Sequence, residues 1–230
     1  MNQVTVFSTN ELPAHLASAG SIGNENIDAD TLATPYLKLL QSLSEQAVKG
    51  NPKHIPGASA GMFLNSINNE LYEELWVSNL FMTRRYNVNK KRIFGVKDWR
   101  GSFDSVEAAV ARLNEDGLNP ADYDIADTHV HTLAIIDPVK GSVITPVQYL
   151  MQSSALRDSR SWNANIVTNG PSVPRFASIW KLTAKLNTSN KGSWYTPQVQ
   201  FAGWAPKELY EQLQTLFHGL RGQDVNVEDV

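Results

Sequence analysis

The sequence predicts a mainly β chain with added helices, an α+β domain built as one antiparallel barrel or sheet decorated by helices. Three observations carry this. Stretches such as Glu74–Val88 and Phe176–Asn187 alternate apolar with polar residues or are rich in β-branched and aromatic ones. Turn chemistry separates such stretches, as at Pro138–Ser142 and Asn187–Gly192. Helical spacing of apolar residues is confined to short segments between the strands, and no segment repeats another.

Taken in order, residues 1–27 are polar and read as a flexible arm. A single domain spans 28–221, and 222–230 is a short acidic tail. Asp30-Thr31 offers an N-cap to a helix with Leu32, Tyr36, Leu39, Leu40 and Leu43 on one face, Pro35 in its first turn and Gly50-Asn51-Pro52 as its stop. Gly61–Ile67 and Glu74–Val88 then read as strands, Asn87–Lys91 as a turning segment, and Arg92–Trp99 as a resumed strand. Phe103–Asn114 reads as an amphipathic helix capped by Asp104, with Val106, Val110 and Leu113 sharing a face. Ile125–Asp137 and Val143–Met151 make a hairpin. Ser153–Val167 reads as a helix stopped by Asn169-Gly170-Pro171. Phe176–Asn187 is a strand turning Phe176, Ser178, Trp180, Leu182, Ala184 and Leu186 one way and Lys181, Thr183 and Lys185 the other. Ser193–Phe201 is its partner. Pro206–Leu220 closes the domain as a helix striped by Leu209, Leu213, Leu216, Phe217 and Leu220.

With 230 residues, a formal net charge of −3 and no cysteine, the chain can build one sizeable core. Absence of cysteine excludes disulfides, thiolate zinc sites, iron–sulfur clusters and a cysteine nucleophile. The first twenty residues lack a basic leader followed by an apolar run, so no secretory signal is expected, and no apolar run is long enough to span a membrane. The expected location is the cytoplasm.

Charge is partitioned in blocks. Phe81–Gly101 holds Arg84, Arg85, Lys90, Lys91, Arg92, Lys97 and Arg100 against Asp98, interleaved with Phe81, Tyr86, Phe94 and Trp99. Asp104–Asp127 is acidic, with Asp104, Glu107, Glu115, Asp116, Asp122, Asp124 and Asp127 against Arg112. Ser153–Tyr195 is basic again, with Arg157, Arg160, Arg175, Lys181, Lys185 and Lys191 against Asp158, and with Trp162, Phe176, Trp180, Trp194 and Tyr195. Cations interleaved with rings suit a single nucleic-acid strand, whose phosphates take the charge and whose bases stack. Two basic blocks flanking one groove would form a cationic channel with stacking platforms.

Signatures of common enzymes are missing. Neither G-x-x-x-x-G-K-[ST] nor G-x-G-x-x-G occurs, and Ser153-Ser154 lacks the context of an esterase nucleophile. His129 and His131 share a strand face with Asp127, the one arrangement resembling a metal site. No cofactor is expected.

The order Pro35–Glu45 (PYLKLLQSLSE), His54–Ser66 (HIPGASAGMFLNS), basic-aromatic strands, Ser154–Asn163 (SALRDSRSWN), then a strand pair, a helix and an acidic end resembles a group of bacteriophage single-stranded DNA-binding proteins. The likeness covers about Thr34–Val230 and is one of layout. It implies an OB-like barrel whose concave face holds single strands, and a non-catalytic, largely sequence-independent role in phage DNA replication and recombination. Phosphates would then meet Arg84, Arg85, Lys90, Lys91, Arg92, Arg100, Arg157, Arg160, Lys181 and Lys185. Bases would stack on Tyr86, Trp99, Trp162 and Trp194. The tail residues Asp224, Glu228 and Asp229 would recruit replication partners, although the tail ends in Val230 where many end in an aromatic residue. Two alternatives stand beside this. One is a phage factor that inhibits a host protein, its acids at 104–127 mimicking DNA phosphates. The other is a metal-dependent nuclease using Asp127, His129 and His131.

Overall fold

A long bent strand holds the fold together. In the computed structural model, described for residues 35–91, 98–190 and 192–221, β4 (Leu75–Lys90) pairs along almost its whole length with β6 (Tyr123–Asp137). Its other edge is shared. Leu75–Ser78 pair with β8 (Ser178–Ser189), and Tyr86–Asn89 with β5 (Trp99–Phe103). The hairpin partners β7 (Ser142–Gln152) and β9 (Gly192–Trp204) complete a six-stranded antiparallel sheet in the order β7-β6-β4-β8-β9, with β5 beside β4. A small second sheet joins β1 (Leu37–Leu39), β2 (Phe63–Asn65) and β3 (Leu71–Tyr72).

Helices cover both faces. The helix α2 (Leu156–Asn169) lays Trp162 and Ile166 against Val77, Leu133, Ile135, Tyr149, Met151, Trp180 and Leu182. On the opposite face α3 (Lys207–Arg221) lays Leu209 and Leu213 against Leu80, Ile136, Phe176 and Ile179. Each of those leucines contributes roughly 1.5–3 kcal/mol by leaving water. The helix α1 (Val106–Glu115) covers the far end of β4 through Ala109, Leu113, Val88 and Tyr123. Because helices lie on both sides, Thr128 to Ile136 of β6 are all buried rather than alternating. A bulge in β4 between Asn79 and Phe81 lets Leu80 and Phe81 both reach the α3 face.

The strands over 125–137, 143–151, 176–187 and 193–201 and the three later helices lie where sequence spacing places them, each within a few residues. Five expectations change. Phe176 does not share the face of Trp180 and Leu182: it lies in the short turn Arg175–Ala177 ahead of β8 and packs under α3, while they pack under α2. No helix occupies 35–43: Leu37–Leu39 pair with Phe63–Asn65, and Gly61 N–H bonds to Leu40 O at 2.8 Å, so backbone pairing overrides helical spacing. The turn expected at Asn87–Lys91 is strand through Lys90, because β5 and β6 flank it. The cap of α1 is Ser105, whose Oγ accepts from Ala108 N–H, rather than Asp104, which turns to Arg85. Finally, the sheet order ends at β7 and β9, and no strand pairing between them closes a barrel among the described residues. Instead β1 reaches both edges. Just before β1, Pro35 O accepts from the N–H of Gln148 on β7, and just after it the Gln41 carboxamide takes both the N–H and the C=O of Tyr195 on β9, at 2.8 and 3.0 Å. The arm at 1–27, the cap Asp30-Thr31, Leu32, most of the Arg92–Trp99 strand, Lys191 and the tail residues Asp224, Glu228 and Asp229 lie outside the described residues.

Candidate nucleic-acid interface

The charge blocks, separate along the chain, meet in space. Antiparallel pairing sets Tyr86 opposite Asp127 and Arg84 opposite His129. Arg84 therefore reaches Asp127 with two parallel bonds of 2.9 Å, the fork geometry that guanidinium and carboxylate favour. This pairing holds the Asp127 carboxyl below its ordinary range and raises the Arg84 guanidinium. Arg84 also lies 5.2 Å over the Tyr86 ring, and Arg160 of α2 sits 3.6 Å from Asp127 Oδ2. Arg85 pairs with Asp104, Arg100 with Asp98 at 2.7 Å, and Lys91 donates to the Ala121 carbonyl at 2.7 Å. Lys90 is half-buried, its backbone N–H bonded to Asp98 O. Arg84 and Arg85 are thus spent on the acidic block that follows, and Arg100 on the one acid of its own block. The same pairing occupies Asp104 and Asp127 at the two ends of the acidic block. Arg92 lies outside the described residues.

The second basic block is less neutralised. Arg157 and Lys185 are exposed, and no ion pair joins either to a described residue. They line a cleft of about 390 Å³ with Ser154, Asp158, Ser161, Asn187, Trp194 and Thr196. The indole N–H of Trp194 is shielded there without a hydrogen-bond partner. Ser154 also lines a neighbouring cleft of about 420 Å³. That second cleft is walled by rings and amides: Tyr36, Trp99, Tyr149, Tyr195, Asn87 and Gln152. One aromatic of the first block, Trp99, is therefore brought beside the cations of the second. Lys181 is not among them. It pairs with Glu74 at 2.6 Å, over the Trp76 ring.

Trp162 does not present a ring for stacking. It is 1% exposed, lies stacked on His131 with centroids 4.9 Å apart, and meets Trp180 edge-on. Its position on α2, directly over the sheet, buries it.

Beneath the Arg84–Asp127 pair runs a buried polar chain. Arg175 Nε donates to Asn79 Oδ1 at 2.9 Å, which orients the amide. Asn79 Nδ2 must then donate to His131 Nδ1, also at 2.9 Å. The His131 proton is consequently on Nε2 and goes to Ser159 Oγ at 2.7 Å, and the serine proton goes to His129 Nδ1 at 2.7 Å. Burial lowers both imidazoles, His131 to about 3, and lowers Arg175 to about 10. Asp127, His129 and His131 are committed to this chain and to the arginines. Among the described residues no group of three or more His, Asp or Glu is arranged to hold a metal ion.

Sequence reasoning missed Tyr36, Asn87, Gln152 and Asn187 as cleft residues. Tyr36 was hidden by its helical spacing, and the amides carry no charge to draw notice. No described helix is long and apolar enough to cross a membrane. A family model described as "Pam3 phage gp34-like protein" matches residues 7–226. No curated protein and no solved structure matches the chain.

Proposed function

The chain belongs to the Pam3 phage gp34-like protein family, and from that premise we propose that it is a non-catalytic, phage-encoded single-stranded DNA-binding protein acting in the host cytoplasm. The carrying observation is the pair of clefts meeting at Ser154, one lined by Trp99, Tyr36 and Tyr195 and the other by Arg157, Lys185 and Trp194. Rings accept unstacked bases without regard to sequence, and the two unpaired cations suit the phosphates between them. Arg160 and Arg84 extend the positive rim, moderated by Asp127. In this reading the curled sheet serves as an OB-like platform, with β1 completing its wall. The acidic end, Asp224, Glu228 and Asp229, recruits replication partners.

Titration with oligo(dT), followed by tryptophan fluorescence at two salt concentrations, tests this. Arg157, Lys185 and part of Arg160 together neutralise two to three phosphates. The logarithm of affinity should therefore fall by about 1.4–2.1 per decade of salt. The double substitution Arg157→Ala/Lys185→Ala should remove most of that slope. Quenching should arise from Trp99 and Trp194 and survive Trp162→Phe. Absence of binding at low salt overturns the proposal.

A further inference from the structure

Asn87 is the unexplained group in the ring-lined cleft. It sits within β4, opposite Ala126 on one side and Ser102 on the other. The residue is 7% exposed, yet no described residue hydrogen-bonds its carboxamide. Its cross-strand neighbour Ser102 holds a shielded hydroxyl with no partner, a group that native interiors seldom leave so. The Asn87 carboxamide is not sealed in this way, because it lines the open cleft. Nearby amides are occupied: Gln41 spans the Tyr195 backbone, and Gln152 Oε1 accepts from Thr128 Oγ1 at 3.2 Å. Asn87 alone offers a free donor and acceptor side by side, on the cleft wall it shares with Trp99 and Tyr36.

We infer that this cleft holds one unstacked nucleobase and that Asn87 reads its edge, making the site base-selective rather than indifferent to sequence. A carboxamide pairs in both directions with an edge presenting an adjacent donor and acceptor, as it does with adenine N6 and N7. The ring of the bound base lies against Trp99 and its neighbours, and Asn87 supplies the polar term that stacking lacks. The inference rests on the nucleic-acid reading above. It specifies which residue discriminates there.

The test titrates equal-length oligo(dA), oligo(dC) and oligo(dT), and separately dAMP, dCMP and dTMP, at one salt concentration. Expected is a spread of about tenfold among bases for the natural chain. Asn87→Ala should collapse that spread to within about twofold while leaving the salt dependence unchanged. Asn87→Asp, isosteric but accepting only, guards against misfolding of the alanine variant. It should shift preference toward bases carrying an amino group and away from thymine. Equal affinity for all bases, or a spread that survives both substitutions, overturns the inference and leaves strand binding intact. Selective binding of mononucleotides without oligomers supports the base site and overturns the strand reading. No binding of either kind overturns both.

Discussion

Removing the Ser159 hydroxyl should destabilise the protein far more than a serine-to-alanine change in a helix ordinarily does. Ser159 is fully buried and its Oγ lies 2.7 Å from both His129 Nδ1 and His131 Nε2. Arg175 orients Asn79 and so places the His131 proton on Nε2, with Ser159 Oγ as its acceptor, and both Oγ bonds are lost together in Ser159→Ala. His131 Nε2–H, in a residue with 0% exposure, is then left without an acceptor. A buried donor abandoned in this way costs about 1–3 kcal/mol. His129 is 7% exposed and can recruit water, so its lost bond adds about 1 kcal/mol. The expected loss is roughly 2–4 kcal/mol, or a fall in Tm of roughly 5–15 °C for a chain of this size. Urea and thermal melts followed by circular dichroism measure it. Ser161→Ala, an exposed position on the same helix, gives the gain in helix propensity to be subtracted. Nitrogen-15 shifts of the imidazoles should show both rings protonated at Nε2. A loss below about 1 kcal/mol, or either ring protonated at Nδ1, would refute the proton chain.

Two further outcomes follow from named contacts. Burial lowers His131 to about 3 in the fold, whereas the unfolded ring titrates near 6.5, so the unfolded chain takes up a proton that the fold refuses. Stability from this group is complete above about pH 6.5 and declines by about 1.4 kcal/mol per pH unit as pH falls toward 3; a melt series from pH 7.5 to 4.5 with no such decline contradicts it. Gly61 adopts φ +90°, and a Cβ there would lie 2.8 Å from Tyr195 Cε1. Gly61→Ala should therefore cost about 1–2 kcal/mol of backbone strain and displace the Tyr195 ring, weakening oligonucleotide binding. Unchanged Tm and unchanged affinity together would show the ring to be unconstrained.

How much of this was legible along the chain depended on the range of the cause. Strands β6 to β9 and the stripe of α3 follow from composition, period and turn chemistry, because a hairpin partner lies only a few residues away and, in β8, alternation marks the buried side. Trp180 and Leu182 against Lys181 and Lys185 illustrate it. Tyr36, Leu39, Leu40 and Leu43 also had helical spacing. Phe63–Asn65, some two dozen residues later, paired the segment as a strand. Composition located every charge and ring yet could not say which were spent. Arg84 and Asp127 are 43 positions apart, and only the β4–β6 register brings them together. Trp162 and Trp194 are alike in sequence context, yet packing of α2 onto the sheet buries the first and leaves the second on a cleft wall. Local periodicity records which residues can bury a face. Neutralisation of charge, burial of a particular ring and an amide left without a partner arise from contacts between distant segments, which only the tertiary structure decided.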